Sequence, residues 1–332
     1  MRRGESVKLS IVSTLYRSEE TINEFYRRAM AAAEALTDDI EMIFVNDGSP
    51  DASLDLALTL HRGDPRVAVI DLARNFGHHK AIMTGLAHAT GDLVFLIDSD
   101  LEEQPEDLAR FHARLAQGDC DVVYGVQDCR RGGFIERITG ALFFTLVQAL
   151  SDQPIPRNPV VARLMTREYV RALVRHRDRE FLIVHLMALV GFRQAALTVR
   201  KLATSPTTYT LRMRVELAIK HLTTTSTKLL YLILYVGVGV FVLSVAAIFY
   251  YLIRYVYYGI RVDGFTSLIV SVWFFGGLIT LILGIFGIYI ANVLSETKRR
   301  PYAVVRQVYR APAVAAERAV AQHRPIVRAR RS

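Results

Sequence analysis

The sequence contains very little cysteine or tryptophan: 332 residues include two cysteines and one tryptophan. Two cysteines are too few for a disulfide-stapled fold, and the spacing of Cys120 and Cys129 matches no zinc-binding pattern. The chain also lacks a G-x-G-x-x-G turn after its first predicted strand and a Walker A lysine loop, which excludes both common phosphate-binding loops. Because 52% of the residues are hydrophobic and 22% charged, the chain is not disordered over most of its length. We expect a folded protein whose thiols are reduced.

The net positive charge comes almost entirely from the C-terminal tail. The net charge is +9, and residues 295–332 hold ten Lys or Arg against two Glu, a net +8. No basic stripe with interleaved aromatic residues precedes the tail, so the sequence predicts no nucleic-acid partner. We expect the tail beyond Pro301 to have little stable structure, to tune membrane attachment and to be dispensable for chemistry.

Two long stretches contain no charged residue: Leu229–Ile253, with 25 residues, and Phe265–Leu294, with 30. About 20 helical residues cross a bilayer core, so both stretches are predicted to be transmembrane helices. The alternative is a pair of buried core helices. Lys and Arg flank the outer ends more densely than the connecting loop. The positive-inside rule therefore predicts a multi-pass protein of the inner (cytoplasmic) membrane, with its N-terminal part and tail in the cytoplasm.

The first 130 residues alternate apolar β-rich runs with helical patterns, which is typical of a parallel α/β sheet with right-handed crossovers. The β-rich runs are Leu9–Leu15, Ile40–Val45, Val67–Leu72, Leu93–Ile97 and Asp121–Val126. Ligands of such sheets bind beyond the carboxyl ends of the strands. Polar segments follow four of these runs, at Tyr16–Glu20, Asn46–Asp51, Arg74–Gly77 and Asp98–Glu103. We expect the functional site there.

The segment Asp98–Glu103 places four carboxylates within six positions after a buried strand. Such a cluster is strongly self-repelling unless a positive charge lies among its members. A divalent cation that bridges substrate phosphates supplies that charge, since Mg²⁺ typically binds one or two carboxylates together with phosphate oxygens. The alternative is an acidic N-cap for the helix near Pro105, formed by Glu103 and Glu106.

Two further polar loops are less specific by themselves. Asn46–Asp51 offers a carboxylate that can accept from a base N–H or a ribose hydroxyl, and it also fits a plain Asp-Gly turn. Arg74–Lys80 fits either a loop with a cation near phosphates or a surface turn. The adjacent His78 and His79 lack the i, i+4 spacing of a helical metal pair, so we do not predict them to be ligands.

Seven short motifs accompany the two apolar runs, in the order Ser10–Tyr16, Asn46–Ser49, Arg74–Gly77, Asp98–Glu102, Tyr124–Gly125, Arg163–Met165 and Gly191–Gln194. Together they resemble the family 2 glycosyltransferases of GT-A fold, and more closely the polyprenyl-phosphate glycosyltransferases. The resemblance covers about Lys8 to Leu294. The first four motifs are specific as an ordered set, and the paired apolar runs narrow the subgroup.

The resemblance implies a membrane-bound enzyme that moves one sugar from a nucleoside diphosphate sugar, UDP being favoured over GDP, to polyprenyl (undecaprenyl) phosphate for cell-envelope glycans. Processive synthases carry a Gln-x-x-Arg-Trp element, which is absent because Trp273 lies in the second apolar run. The implied cofactor is Mg²⁺ or Mn²⁺, bound by Asp98, Asp100 and Glu102, with both aspartates also catalytic. The implied substrate-binding residues are Leu15, Tyr16, Glu20, Asp47, Arg74, Asn75 and Ser99.

Arginines are expected to hold the acceptor phosphate and to act in catalysis. This phosphate is already an anion at pH 7, so it attacks the anomeric carbon without a general base, and in-line displacement predicts inversion. Our candidates are Arg130, Arg131 and Arg163, each of which also fits an ordinary surface arginine.

We divide the chain into four segments. They are a GT-A nucleotide-sugar core (1–132), an acceptor-side part with juxtamembrane amphipathic helices (133–228), two transmembrane helices (229–294) and a basic cytoplasmic tail (295–332). The amphipathic helices are expected at Phe134–Leu150 and Arg212–Leu222, where ordinary core helices are the alternative. A homo-oligomer is compatible with this organisation. The alternative function is a non-catalytic membrane scaffold or a transporter-associated subunit with a degenerate transferase domain.

Overall fold

The computed structural model describes residues 7–127, 159–176, 178–179, 181–200, 228–258, 264–298 and 300–311. The chain divides into two compact units. The first consists of Met1–Gly132, Ile155–Thr208 and Pro301–Ser332, and the second of Gly133–Pro154 and Tyr209–Arg300. The predicted amphipathic helices Phe134–Leu150 and Arg212–Leu222 lie outside the described residues.

An eight-stranded sheet forms the centre of the first unit, in the order β7-β5-β6-β4-β1-β2-β3-β8. Its strands are β1 (Leu9–Leu15), β2 (Ile40–Asn46), β3 (Val67–Leu72), β4 (Leu93–Leu96), β5 (Val122–Val126), β6 (Pro159–Thr166), β7 (Gln194–Thr198) and β8 (Val305–Tyr309). Strands β1 to β4 are parallel, whereas β6 and β8 run antiparallel to their neighbours. The predicted α/β class is confirmed, and the five predicted strands match β1 to β5 to within one residue.

Helices cover both faces of this sheet. They are α1 (Ile22–Glu34), α2 (Ser53–Gly63), α3 (His78–His88), α4 (Leu108–Leu115), α5 (Arg167–Leu173) and α6 (Ile183–Leu189). One core cluster packs around Phe25, Phe44 and Phe95, and the other includes Ile43 and Tyr169. Alternate residues of each strand supply the two clusters because successive side chains point to opposite faces.

Helix α3 packs closely on the parallel strands. At Gly85 an added Cβ would lie 2.5 Å from Cγ1 of Val12 and 2.9 Å from Cγ2 of Val45, so only glycine allows this approach. The helix begins at His78, directly after the predicted Arg74–Gly77 loop. Close packing of α3 therefore fixes where that loop lies relative to the ends of β1 and β2.

Both predicted apolar runs are helical, in α7 (Lys228–Tyr258) and α8 (Phe265–Thr297). Among the described residues, one helical segment is long and apolar enough to cross a membrane, Ser271–Leu294 of α8. The described apolar stretch of α7, Leu230–Val240, is shorter.

The C-terminal segment returns to the sheet, so the prediction of little stable structure is wrong for its first part. Strand β8 pairs antiparallel with β3, with Ile70 opposite Val308. Tyr302 and Val305 pack against the core cluster on the α3 face. The physical reason is the free edge of β3, whose unpaired N–H and C=O groups a segment rich in valine and tyrosine can satisfy. Residues 312–332 lie outside the described residues.

Candidate active site

At the carboxyl edge of the parallel strands, the end of β1 and the polar segment after it contact the polar segments that follow β2 and β4. The backbone N–H of Asp47 donates to the carbonyl of Leu15 at 3.0 Å, and the N–H of Arg17 donates to Oγ of Ser49 at 2.7 Å. The Ser99 hydroxyl donates to the carbonyl of Thr14 at 2.9 Å. Parallel strands end at the same edge of a sheet, so three loops that are distant in sequence form one surface.

Asp47 connects two of the predicted substrate-binding loops. Its carboxylate accepts the backbone N–H of Phe76 at 2.7 Å and that of Gly77 at 3.0 Å. Burial raises the pKa of Asp47 above its ordinary value, although the two N–H groups, His78 and Arg74 favour the charged form. Asp47 therefore organises the 74–77 loop, and its contact with a nucleoside stays a prediction.

Gly48 allows the same two loops to touch. Its φ is +60°, and an added Cβ would lie 2.5 Å from the carbonyl carbon of Arg74 and from the backbone nitrogen of Asn75. The guanidinium of Arg74 lies 4.2 Å from the centroid of the Phe76 ring. Arg74 and Asn75 are both exposed, so this contact presents a cation and an amide at the surface of the site.

Of the substrate-binding residues predicted at the end of β1 and in the loop after it, Tyr16 and Glu20 are exposed and Leu15 is buried. Tyr16 is 46% exposed, and the guanidinium of Arg17 lies 5.8 Å from its ring centroid. The Leu15 side chain is fully buried in the core, which corrects the prediction that it lines a base pocket. The reason is strand alternation, since Leu15 is the last residue of β1 and points to the α1 face. Glu20 lies exposed in the turn before α1.

The acidic segment after β4 turns sharply at Leu101. Ser99 points inward, where its hydroxyl lies 3.1 Å from Oγ of Ser18, whereas Asp98 is partly exposed and Asp100 exposed. The Asp100 carboxylate accepts the N–H of Glu102 at 2.9 Å, and Leu101 has φ +60°. A bulky residue in the left-handed region costs on the order of 1 kcal/mol and marks a backbone that its surroundings hold in place.

Glu103 anchors this segment to the antiparallel part of the sheet. Its buried carboxylate accepts the N–H groups of Val161 and Ala162, both at 2.8 Å. Glu106 instead pairs with Arg28, with Nη2 2.6 Å from Oε2. Glu106 lies in the first turn at Pro105–Asp107, as the alternative of an acidic helix N-terminus expected, whereas the Glu103 carboxylate binds the backbone of β6.

The chemistry of the acidic segment suits a hard divalent cation, since Asp98 and Asp100 offer carboxylate oxygens. Within the part of the chain that the structure describes, no three His, Cys, Asp or Glu side chains are grouped to hold a metal ion. The predicted three-residue set of Asp98, Asp100 and Glu102 is thus not assembled as a protein-only site. A cation bound by the two aspartates would need further oxygen ligands, such as phosphate oxygens.

Comparison with known proteins identifies the chain. Residues 10–174 match the model of glycosyl transferase family 2. A Mycobacterium tuberculosis protein named as a glycosyltransferase is 46% identical over 303 residues, covering 91% of this chain and 89% of that protein. The chain belongs to glycosyl transferase family 2. It is a transferase enzyme with an α/β GT-A domain. The prediction of an enzyme is thus confirmed over the alternative of a non-catalytic scaffold.

Two further similarities concern named enzymes. The prophage bactoprenol glucosyl transferase homolog of Escherichia coli K12 is 30% identical over 307 residues, covering 91% of this chain and 99% of that protein. The solved structure of the mannosyltransferase PcManGT from Pyrobaculum calidifontis, in complex with GDP-Man and Mn²⁺, is similar with a TM-score of 0.47 and 19% identity. That similarity covers 65% of this chain and 63% of that one.

In this family 2 glycosyltransferase, Arg163 lies in the interior of the sheet. The residue is 3% exposed, and its guanidinium donates to the carbonyl of Val160 at 3.2 Å and to Sδ of Met187 at 2.6 Å. Burial lowers the pKa of Arg163 below its ordinary value. Its predicted contact with an acceptor phosphate stays a prediction. Arg130 and Arg131 lie outside the described residues.

Two features of the glycosyltransferase site were missed from the sequence. His78 lies beside the acidic segment, with Nε2 3.6 Å from Oδ1 of Asp98. Asp71, near the end of the apolar strand β3, accepts from Nδ2 of Asn46 at 2.8 Å and lies 3.4 Å from Nη1 of Arg306. The sequence carried a signal for the second feature, because a carboxylate inside a buried strand needs a partner.

Proposed function

We propose that this glycosyltransferase moves one sugar from a nucleoside diphosphate sugar to a polyprenyl phosphate at the cytoplasmic face of a membrane, for cell-envelope glycan synthesis or modification. The observation that carries this proposal is that the end of β1 and its loop contact both the Asp47 loop and the Asp98–Asp100 segment at one edge of the sheet. This edge offers a site for a nucleoside beside a site for a diphosphate. The similarity to the bactoprenol glucosyl transferase homolog along 99% of its length supports a lipid phosphate acceptor.

The donor half of the site is the surface formed by the loops after β1, β2 and β3. Tyr16 offers an exposed aromatic face against which a base can stack. Asp47 and the backbone that it organises offer hydrogen-bond partners to a base or ribose. Arg74 and Asn75 complete the predicted substrate contacts. UDP is the favoured carrier.

Asp98 and Asp100 would hold Mg²⁺ or Mn²⁺ together with oxygens of the donor diphosphate. When bound, such an ion supplies positive charge that stabilises a departing nucleoside diphosphate. Glu103 serves this arrangement without touching substrate, since it pins the acidic segment to β6.

The transfer is an in-line displacement. An acceptor phosphate oxygen forms a bond to the anomeric carbon while the bond from that carbon to the donor diphosphate breaks, which inverts the configuration. No proton has to be removed from the attacking oxygen, so the site needs no general base. The protein's task is to position two anions and offset their repulsion, for which Arg130, Arg131 and Arg163 are the proposed cations.

The proposed membrane anchor consists of α7 and α8, each crossing the bilayer once. Large apolar side chains are exposed along both helices, with Tyr257 at 78% and Trp273 at 79% exposure. Exposed apolar surface of this extent is unfavourable in water and suits lipid. Cysteine labelling of intact cells tests the topology, and we expect Gly259→Cys to be labelled from outside and Ser332→Cys to be protected. The reverse pattern contradicts the proposed orientation.

The proposed reaction is tested with purified full-length enzyme, undecaprenyl phosphate and a panel of UDP- and GDP-sugars. We expect mass spectrometry to find a lipid product heavier than the acceptor by one sugar residue, with release of one nucleoside diphosphate. A matched reaction without lipid controls for hydrolysis of the donor. Sugar release to water at the same rate with and without lipid, or a lipid product that carries several sugars, contradicts the proposal.

A further inference from the structure

Strand β8 follows the apolar helix α8 in the chain, yet it lies beside the loops of the proposed donor site. We propose that Arg306 of this strand is a positioning residue for the nucleoside diphosphate, acting through Asn46 and Ala73 on the loops that bind the donor. The inference rests on the proposed function and deepens it. It makes residues 301–310, which follow the proposed membrane anchor, a working part of the donor site.

The first contact is with the backbone at Ala73. The N–H of Ala73 donates to the carbonyl of Val304 at 2.9 Å, and Nη2 of Arg306 donates to the carbonyl of Ala73 at 2.8 Å. Both backbone polar groups of Ala73 are thus bound by the returning segment. Since Ala73 directly precedes Arg74, this contact fixes where the 74–77 loop leaves the sheet.

The second contact is with the buried pair beneath the Asp47 loop. Asp71 accepts from Nδ2 of Asn46 through Oδ1, while its Oδ2 lies 3.4 Å from Nη1 of Arg306. Oδ1 of Asn46 in turn accepts the N–H of Ser49 at 3.2 Å. Without Arg306, a carboxylate that is 3% exposed loses its cation, and the amide that orders the Asn46–Ser49 turn loses a rigid partner.

The strand has anchors that do not depend on Arg306. Tyr302 packs edge-on against Phe181 with ring centroids 6.1 Å apart, and Val308 pairs with Ile70 in the ladder. At the opposite end of the strand, Arg310 lies 3.5 Å from Glu41 and donates to the carbonyl of His88 at 2.9 Å. We therefore expect β8 to remain docked when Arg306 alone is replaced.

Arg310, directly after this strand, provides a matched control. Like Arg306, it pairs with a largely buried carboxylate and donates to a backbone carbonyl. Its partner Glu41 lies near the start of β2, whereas the donor loops follow the end of that strand. A loss of strand stability affects both variants, but a loss of loop position affects Arg306 alone.

The experiment compares full-length wild type, Arg306→Ala, Arg306→Lys and Arg310→Ala in detergent. Calorimetry measures the Kd for UDP and GDP, and steady-state assays measure donor KM and kcat. For Arg306→Ala we expect Kd and donor KM to rise about tenfold, the scale of one charge-assisted hydrogen bond, with kcat within about threefold. Arg306→Lys restores part of this loss, and Arg310→Ala stays within about twofold of wild type at a comparable thermal unfolding temperature.

Wild-type nucleotide affinity in Arg306→Ala overturns the inference and leaves the proposed function intact. Equal losses of affinity in Arg306→Ala and Arg310→Ala also overturn it, because they show a general effect of strand stability. If the wild type binds neither UDP nor GDP, the proposed donor function is refuted, and the inference falls with it.

Discussion

Nε2 of His78 lies 3.6 Å from Oδ1 of Asp98, so the first residue of α3 contacts the acidic segment after β4. The other ring nitrogen, Nδ1, lies 3.1 Å from Oγ1 of Thr14 on β1. The imidazole thus bridges two strand ends of the parallel sheet. This arrangement orients a carboxylate that we propose to act on the donor diphosphate.

Replacement of His78 tests this bridge. We expect His78→Ala to lower kcat/KM about tenfold, because Asp98 loses an orienting contact worth about 1.4 kcal/mol. His112→Ala, on helix α4, is the matched control and should retain wild-type activity. Unchanged kcat/KM in His78→Ala would show that Asp98 is positioned without the imidazole.

Asp100 is the sharpest test of the acidic segment. We expect Asp100→Asn to lower the rate by at least about a hundredfold, the scale of losing a main electrostatic stabiliser of the transition state. Excess EDTA should abolish turnover, and added Mg²⁺ or Mn²⁺ should restore it. Asp119→Asn controls for loss of a surface carboxylate, since Asp119 pairs with Arg114. Full turnover in excess EDTA would refute the proposed role of a divalent metal ion.

Gly48 and Gly118 form a matched pair for the contact between the donor loops. Both have positive φ, +60° and +79°, but an added Cβ at Gly48 meets the Arg74 backbone at 2.5 Å, whereas at Gly118 nothing lies within 4 Å. We expect both alanine variants to lose about 1 kcal/mol of stability from backbone strain, and Gly48→Ala to lose more because its Cβ meets the Arg74 backbone. Only Gly48→Ala should also raise the donor KM, by about tenfold or more. Similar kinetics in the two variants would refute the proposed role of this loop contact.

Asp51 gives a pH-dependent prediction. Its carboxylate accepts the N–H groups of Glu19 and Ser53, each at 3.2 Å, and the hydroxyl of Ser49. Although burial raises it, these hydrogen bonds bring the pKa of Asp51 from 3.8 to about 2. The pKa of Asp51 is thus lower in the folded protein than in the unfolded chain. The ionised carboxylate therefore stabilises the fold fully above pH 3.8, and this contribution is lost as the pH falls through about 2.

The variant Asp51→Asn should therefore unfold at a lower temperature than wild type at pH 7. As the pH is lowered from about 4 to about 2, we expect this difference to shrink, because the wild-type carboxyl becomes protonated. Thermal unfolding followed by circular dichroism at a series of pH values measures it. A difference that stays constant with pH contradicts the assignment of the shift to the charged form of Asp51.

The parallel strands and the polar loops after them could be predicted because their signals are local. Apolar β-rich runs marked β1 to β5 to within one residue, and the carboxyl-end rule placed the Asp47 loop near Asp98. The direction of each side chain was harder to predict. Leu15 was expected in a pocket and lies in the core, because the alternation of β1, not the neighbouring motif, decides which face it occupies.

The partners of buried charges could not be predicted from sequence. Glu103 looked suited to a helix cap 2 residues on, yet it binds N–H groups of Val161 and Ala162, 58 and 59 residues away. For Asp71 the sequence did contain a signal. An isolated carboxylate in a buried strand requires a hydrogen-bond donor, but the sequence does not show which residue supplies it.

The fold class, the order of the loops and the two long apolar helices follow from local signals, because hydrophobic period and turn chemistry act over a few residues. The return of Arg306, 235 residues after Asp71, to the proposed donor site follows instead from long-range strand pairing. A basic residue in a tail carries the same local pattern whether it faces solvent or a buried carboxylate. Pairing of β8 with the free edge of β3 determines which of these two environments Arg306 has. The pairing satisfies the backbone groups of β3 and brings the arginine to the carboxylate of Asp71.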